Sequence, residues 1–189
     1  KNAMKPIWSK SRPNGCMNGV ITIVDMNVFG KLQKIRGMVL DIDGVFTDNQ
    51  ILVTENGEFL RLMNVRDGYA VKRAVAAGLR IAIISGGKSL GTIRRMNVLG
   101  VHEVFLGVEK KLPVLKDLLK QWDMVPDEIV YMGDDLPDLE CLQYVGLASC
   151  PSDAVPEILS ACEYVATLRG GQGCVRELIE HILQSQNRW

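Results

Sequence analysis

Two clusters of aspartates carry the clearest chemistry in the sequence, and the first follows an apolar run at residues 38–40. Asp41 and Asp43 stand two residues apart, and Gly44 allows the chain to turn sharply beyond them. Side chains at this spacing in a strand lie on the same side of the backbone, where two carboxylates repel each other unless they share a cation or a proton. A lone pair of this kind is also typical of a solvated turn, so this cluster alone leaves both alternatives open.

The second cluster, Asp134, Asp135 and Asp138, follows another apolar run. Aspartates in this position cap the first free amides of a helix, which accounts for one of them but not for all three. If both runs belong to one parallel sheet, both clusters open at the same edge. Asp41, Asp43 and Asp134 would then supply oxygen ligands to one hard cation, and Mg²⁺ fits best because it also binds phosphate oxygens. Asp135 and Asp138 are expected to support these ligands.

A serine-glycine turn and a lysine lie between the two clusters along the chain. Ser85 and Gly86 follow the apolar run 81–84 and precede a helical pattern, and a hydroxyl group and backbone amides at such a helix start bind anions. Lys111 would add a fixed positive charge. Each feature alone is ordinary, since the first is typical of a glycine turn and the second of a solvated lysine. Beside a cation they predict a phosphate site.

The elements that must position these residues alternate between short apolar runs and stretches of helical period. Strands are predicted at residues 38–40, 81–84, 103–106, 129–132 and 147–148, and helices at 69–77, 90–99, 112–122, 136–144, 155–161 and 175–183. Such alternation predicts a parallel sheet with right-handed crossovers and helices on both faces. The expected structure is a three-layer, Rossmann-like α/β fold whose carboxyl edge carries the site.

One segment breaks this alternation. Residues 50–54 and 59–65 both have the pattern of strands around the turn sequence Glu-Asn-Gly-Glu, which predicts a β-hairpin at 50–65. The hairpin should project from the carboxyl edge, and because an isolated ribbon is only marginally stable in water, it should have a packing partner. Residues 20–189 are expected to form one domain with no large cap, preceded by a leader at residues 1–19 that is disordered or derived from cloning.

Charge and composition exclude several kinds of partner. The chain has 22 Lys plus Arg against 22 Asp plus Glu and no long block of like charges, which argues against nucleic-acid binding. No apolar run approaches the ~20 residues of a membrane-spanning helix. The five cysteines form neither a C-x-x-C pair nor an even set, which favours a reducing cytoplasm over a disulfide framework or a zinc site.

In their order along the chain, the Asp-x-Asp, Ser, Lys and Gly-Asp-Asp elements resemble the motifs of the haloacid dehalogenase (HAD) superfamily of phosphohydrolases. The resemblance runs from residue 36 to the C-terminus. Within that superfamily, the chain resembles the 3-deoxy-D-manno-octulosonate 8-phosphate (KDO 8-phosphate) phosphatases. Four segments carry this closer resemblance: 41–48 (DIDGVFTD), 64–69 (NVRDGY), 133–138 (GDDLPD) and 170–177 (GGQGCVRE).

The resemblance implies a mechanism for phosphate removal. Asp41 would be the nucleophile that forms an aspartyl-phosphate, and Asp43 would be the acid–base, with its backbone carbonyl on Mg²⁺. Ser85 and Lys111 would hold the transferring oxygens. The products would be KDO, a precursor of lipopolysaccharide, and phosphate. Similar members of the family lack a large cap and form tetramers whose hairpins help to close neighbouring pockets, which implies a homotetramer here.

The resemblance also carries over a set of sugar-binding residues. These are Asn64, Val65, Arg66, Asp67, Gly68, Lys72, Gly86, Arg95 and Lys111. Arg66 or Arg95 could grip a carboxylate with a planar fork of donors, or could be an ordinary surface arginine. Two positions depart from the family pattern, because Gly87 and Lys72 stand where many members carry arginine.

Other functions remain as alternatives. The nearest are phosphatases of nine-carbon, sialic-acid-type 9-phosphates and of small phosphate esters in general. A phosphoryl-accepting signalling domain also combines acidic residues, Mg²⁺, a hydroxyl group and a lysine, but it lacks an aspartate at the position of Asp43. The glycine-rich segment 170–173 either reaches an active site or forms a loop before the last helix.

Overall fold

The computed structural model describes residues 26–189, so the predicted leader and the predicted start of the domain at residue 20 lie outside the described residues. The strands are β1 (Gly37–Leu40), β2 (Leu52–Val53), β3 (Phe59–Leu60), β4 (Arg80–Ser85), β5 (Glu103–Leu106), β6 (Ile129–Met132), β7 (Leu147–Cys150) and β8 (Tyr164–Val165). Six of them form one parallel sheet in the order β5-β4-β1-β6-β7-β8. β2 and β3 pair with each other in an antiparallel hairpin.

Helices follow most of the strands. They are α1 (Met26–Leu32), α2 (Val65–Ala76), α3 (Leu90–Leu99), α4 (Lys111–Trp122), α5 (Leu139–Leu142), α6 (Pro156–Ala161) and α7 (Cys174–Ser185), with short 3-10 helices at Pro126–Glu128 and Leu136–Asp138. The sequence explains their limits: the side chain of Ser89 accepts a hydrogen bond from the amide of Thr92 at the start of α3, and Gly100 ends α3 in the left-handed conformation.

The core lies on both faces of the sheet, because neighbouring residues of a strand point to opposite sides. Met38 and Leu40 of β1 belong to one apolar cluster with α1, α2, α3 and α7. Val39, between them, belongs to the other cluster, with α4, α5 and α6. All three are fully buried. The predicted three-layer α/β fold is therefore confirmed.

The hairpin differs from its prediction in length. Its strands are only two residues each, and the second strand ends at Leu60 instead of the predicted Val65. The side-chain oxygen of Asn64 accepts a hydrogen bond from the amide of Arg66 at 2.9 Å, which caps α2 and turns Val65 into its first residue. The pattern also gave no sign of β8, which is too short to show a period.

The topology creates a crevice at the carboxyl edge of β1. β1 lies between β4 and β6, so the chain passes to one side of it first and later to the other, and open α/β sheets bind ligands at such a point. Between residues 26 and 189 no segment forms a cap domain of its own over this crevice. None of the helices described here is long and apolar enough to cross a membrane.

Candidate active site

The loop after β1 places Asp41 at the floor of the crevice. Its amide continues the ladder by donating to the carbonyl of Met132 at 3.0 Å. One carboxylate oxygen, Oδ2, lies 2.9 Å from Nζ of Lys111, whereas Oδ1 is buried without a hydrogen-bond partner. Gly44 then turns the chain with a φ of 87°, and a Cβ atom there would lie 2.0 Å from Oδ2 of Asp134. Glycine is therefore required by both conformation and space.

The loop after β6 contributes a carboxylate, Asp138, that is fully engaged. Its Oδ1 accepts from Nζ of Lys111 at 2.7 Å and from the hydroxyl of Tyr131 at 2.6 Å, and its Oδ2 accepts from the amide of Asp134 at 3.3 Å. Asp135 is exposed, and its side chain accepts from the amide of Leu136 at 2.7 Å. The supporting role predicted for Asp138 is consistent with these bonds.

Lys111 lies between two carboxylates in a buried position, with only 3% of its side chain exposed. Burial opposes its charge, but Asp41 and Asp138 together raise its pKa above the usual value. It is the first residue of α4, which follows the loop after β5. The lysine is therefore charged at neutral pH and fixed in place, unlike the exposed Lys110 beside it.

The pKa values of the aspartates reveal an excess of negative charge. Burial, followed by the charge of Asp138, raises the pKa of Asp41, against the effect of Lys111. Burial, with further repulsion from Asp138 and Asp41, raises the pKa of Asp134 to about 7 despite a hydrogen bond from Nδ2 of Asn49 at 2.7 Å. One lysine does not balance three neighbouring carboxylates.

A divalent cation fits this set of donors. Carboxylate oxygens of Asp41, Asp134 and Asp138 lie within 4.8 Å of one another, and the partnerless Oδ1 of Asp41 is among the acceptors nearby. Because Asp138 is already bonded to three donors, Asp41 and Asp134 are the better side-chain ligands. Hard oxygen donors of this kind suit Mg²⁺. The contribution of the Asp43 carbonyl stays a prediction.

The site opens into a cleft of about 330 Å³. The cleft brings together eight of the predicted residues: Asp41, Asp43, Ser85, Gly86, Lys111, Asp134, Asp135 and Asp138. Ser85 reaches it from the end of β4 and is 2% exposed. The arrangement offers a nucleophilic carboxylate, a fixed cation, a hydroxyl group and oxygen ligands for a metal around one small space.

Most of the predicted sugar-binding residues lie outside this cleft. They are Asn64, Val65, Arg66, Asp67, Gly68, Lys72 and Arg95, and their contact with a sugar stays a prediction. In the structure, the buried carboxylate of Asp67 accepts a hydrogen bond from the amide of Arg176 at 2.8 Å, at the start of α7. Gly68 leaves room for Arg95, whose Nη2 would lie 2.3 Å from a Cβ atom there.

The glycine-rich segment 170–173 forms the loop before α7 and packs on the loop after β1 of its own chain. The amide of Gly171 donates to the carbonyl of Val45 at 3.0 Å. A Cβ atom on Gly170 would lie 1.9 Å from the carbonyl oxygen of Gly44. These glycines therefore allow two backbone segments to approach closely.

Three residues of the site were not expected from the sequence. Asn49 bonds to Asp134, Tyr131 bonds to Asp138, and Arg61 forms an ion pair with Asp43. The tyrosine was hidden in an apolar run, and the arginine in a hairpin strand. Each contact depends on how the chain folds, since even Tyr131 meets Asp138 only because the chain turns after β6, and the local pattern carries no signal for it.

Comparisons with known proteins place this geometry in a family. Residues 101–178 match the haloacid dehalogenase-like hydrolases. The KDO 8-phosphate phosphatase of Escherichia coli is 36% identical over 165 residues, which cover 87% of this chain and 88% of that protein. The crystal structure of the Yersinia pestis KDO 8-phosphate phosphatase has a TM-score of 0.85 at 34% identity and covers 86% of this chain and 88% of its own.

A further solved structure is similar to a comparable degree. The KDO 8-phosphate phosphatase from Moraxella catarrhalis, in complex with a magnesium ion, a phosphate ion and KDO, has a TM-score of 0.84 at 32% identity, over 86% of this chain and 94% of its own. Sequence and fold agree over nearly the full length of these relatives. The chain therefore belongs to the haloacid dehalogenase-like hydrolases, in the family of the KDO 8-phosphate phosphatases.

Proposed function

We propose that this protein is a Mg²⁺-dependent phosphatase that converts KDO 8-phosphate to KDO and inorganic phosphate. The observation that carries the proposal is the buried carboxylate of Asp41, which has one oxygen on Lys111 and the other without a partner. The similar Moraxella catarrhalis enzyme, whose structure contains magnesium, phosphate and KDO, indicates the substrate class.

In the first step, Oδ1 of Asp41 attacks phosphorus. A bond forms between that oxygen and phosphorus, and the bond from phosphorus to the sugar oxygen breaks. Asp43, whose side chain lines the same cleft, gives a proton to the departing oxygen. The products of this step are the free sugar acid and an aspartyl-phosphate.

In the second step, water attacks the aspartyl-phosphate. Asp43 now accepts a proton from the water, the bond between phosphorus and Asp41 breaks, and inorganic phosphate leaves. Asp41 regains its carboxylate, so the cycle consumes one water and no other reactant. The same residue acts as an acid and then as a base because the proton that it gives to the sugar oxygen is replaced by one from the attacking water.

Two residues are assigned to the transferring oxygens. Lys111 stays charged because its carboxylate neighbours raise its pKa, and Ser85 offers a hydroxyl group at the end of β4. A Mg²⁺ ion held by Asp41, Asp134 and the carbonyl of Asp43 would stabilise negative charge on the phosphate. Fixed donors of this kind need no rearrangement as charge develops.

The sugar end of the substrate needs basic groups because it carries a carboxylate. Arg66 and Lys72 are exposed on α2, and Arg95 lines the groove beside the hairpin. We assign the sugar to these residues and to Asn64 and its neighbours in the first turn of α2. This assignment rests on the family resemblance rather than on contacts within one subunit.

We further infer a homotetramer built through the hairpin. Leu52 of β2 and Phe59 of β3 are 66% and 60% exposed, and Leu62 after the hairpin is 85% exposed. An apolar ribbon exposed on both faces is typical of an interaction surface. The four cysteines between residues 26 and 189 are free thiols, which supports a location in the cytoplasm.

The decisive experiment is phosphate release from a panel of eight- and nine-carbon sugar acid phosphates, with and without Mg²⁺. We expect KDO 8-phosphate to give the largest kcat/KM, activity to need Mg²⁺, and Asp41→Asn to lose it while the fold persists by circular dichroism. Preference for a nine-carbon substrate would replace the eight-carbon assignment. Full activity of Asp41→Asn would overturn the mechanism.

A further inference from the structure

The acid–base residue of the proposed mechanism has a partner that the family motifs do not include. Arg61 follows β3 and reaches from the base of the hairpin into the cleft wall. Its Nε lies 2.7 Å from Oδ1 of Asp43, and its Nη2 lies 2.9 Å from Oδ2. This is the two-bond fork that fixes a carboxylate in both position and orientation.

Burial makes this pair more than a surface ion pair. The side chain of Arg61 is 8% exposed, whereas that of Asp43 is 28% exposed and lines the catalytic cleft. The arginine is therefore more deeply buried than the carboxylate that it holds. A long side chain that is ordered in this way holds its partner in one orientation instead of covering it from the solvent.

Gly87 completes the arrangement because its missing side chain provides the space. A Cβ atom there would lie 2.8 Å from Nη2 of Arg61 and 2.9 Å from Oδ2 of Asp43. Gly87 does not have the positive φ that would itself require glycine. A larger residue here would therefore have to displace the guanidinium or the carboxylate, which links the glycine at this position to the ion pair.

We propose that Arg61 is a positioning residue that holds the acid–base Asp43 in its working orientation, with Gly87 keeping the space for the guanidinium. The inference rests on the proposed role of Asp43 but not on the identity of the sugar. Loss of Arg61 should slow the protonation of the leaving oxygen and leave the nucleophile Asp41 and its partner Lys111 in place.

Two aryl phosphates of similar shape test this role. The leaving oxygen of p-nitrophenyl phosphate departs readily without a proton, whereas that of phenyl phosphate is more basic and needs one. Neither compound carries a carboxylate, so a lost contact to a sugar acid cannot mimic the effect. The ratio kcat/KM reports every step up to departure of the leaving group, which makes it the appropriate measure.

We expect Arg61→Ala to lower kcat/KM for phenyl phosphate about 10- to 100-fold, and for p-nitrophenyl phosphate by less than about threefold, because an acid catalyst contributes about 10²- to 10⁴-fold when correctly placed. Arg61→Lys, which keeps the charge but loses the fork, should lie between the wild type and Arg61→Ala. Arg94→Ala, which removes an exposed arginine of α3, should change neither value.

Gly87→Ala probes the same contact from the other side and does not depend on how Arg61→Ala folds. It should reproduce the selective loss on phenyl phosphate in the wild-type background and add little in the Arg61→Ala background, where the space is free. Equal losses on both aryl phosphates, or additive effects of the two substitutions, would overturn the proposal. Failure to hydrolyse KDO 8-phosphate alone would overturn only the substrate assignment.

Discussion

The carboxyl edge of the sheet and the hairpin depart in opposite ways from the usual distribution of side chains, in which charged groups are exposed and apolar groups are buried. At the edge, the charged side chains of Asp41, Lys111 and Asp138 are almost fully buried. In the hairpin, the apolar side chains of Leu52 and Phe59 are mostly exposed. Asp41 and the hairpin both follow β1 in the chain, so the same stretch of sequence contributes to both regions.

Each of these departures indicates a binding partner. The edge has more carboxylates than cations, and burial, together with repulsion from the neighbouring carboxylates, raises the pKa of Asp134 to about 7. A divalent cation would offset both effects. The apolar side chains of the hairpin are largely exposed within residues 26–189, and a second subunit would cover them. Polarity therefore distinguishes a site for an ion from a site for a protein.

The largest expected effect comes from removing Lys111, which pairs with two of the buried carboxylates at the edge. Lys111→Met should lower kcat at least 100-fold because Asp41 loses its partner and a phosphate loses its fixed cation. It should also lower the free energy of unfolding by about 3–5 kcal/mol, the usual cost of leaving a buried charge unpaired. Steady-state kinetics and urea unfolding measure the two effects.

Lys110→Met is the matched control, since it removes the same charge from the preceding, exposed position. It should change the free energy of unfolding by less than about 0.5 kcal/mol. If Lys111→Met changed the free energy of unfolding as little as Lys110→Met, the buried carboxylates would not depend on Lys111. The edge would then no longer contrast with the hairpin.

Asp67 sharpens the comparison because it is a buried carboxylate outside the cluster formed by Asp41, Asp134 and Asp138. Burial raises its pKa from 3.8 to about 6, against the hydrogen bond from the amide of Arg176. The folded state therefore binds more protons than the unfolded state between about pH 4 and pH 6, so the wild type loses stability as pH rises through this window. The two pKa values correspond to about 3 kcal/mol.

Asp67→Asn should remove that pH dependence. The difference in the free energy of unfolding between wild type and variant should favour the wild type most below pH 4 and shift toward the variant by about 3 kcal/mol near pH 7. Urea unfolding at several pH values measures it, and the other titrating groups cancel in the difference. A difference that stays constant with pH would show that Asp67 titrates normally in the fold.

Sequence patterns predicted the parts of the molecule that depend on local order. The core strands, the two acidic loops and Lys111 were expected because apolar runs, glycine turns and aspartates are next to one another in the chain. Arg61, Asn49 and Tyr131 were not, because each meets its partner only through a turn of the chain or the packing of another segment. The strand predicted to Val65 was wrong since the capping side chain of Asn64 outweighs the β-propensity of valine.

Metal addition should stabilise the edge by a smaller amount. At a Mg²⁺ concentration ten times its Kd, the free energy of unfolding should rise by about 1.4 kcal/mol, because the ion binds only the folded chain. Asp134→Asn should abolish this gain. Asp67→Asn should keep it, because the carboxylate of Asp67 is not part of the acidic cluster that contains Asp134. Thermal unfolding with Mg²⁺, and with NaCl of equal ionic strength, measures it. A gain that persists in Asp134→Asn would place the ion elsewhere.

The smallest effect on the single chain should come from the hairpin. Phe59→Asp places a charge on a residue that is 60% exposed, so the free energy of unfolding of the dissociated protomer should change by less than about 0.5 kcal/mol. Assembly should suffer far more, since the charge would be buried against another subunit without a partner. Light scattering at micromolar concentration should give a tetramer for the wild type and smaller species for the variant.

Val125→Asp gives the matched control for this last test. Val125 is 59% exposed and lies just before β6, at the amino edge of the sheet and away from the hairpin. The same charge placed there should leave the tetramer intact. If both variants stayed tetrameric, the subunits would meet elsewhere and the exposed hairpin would need another partner; a monomeric wild type would contradict the tetramer itself. Loss of the tetramer in Phe59→Asp but not in Val125→Asp would identify the hairpin as the surface through which the subunits associate.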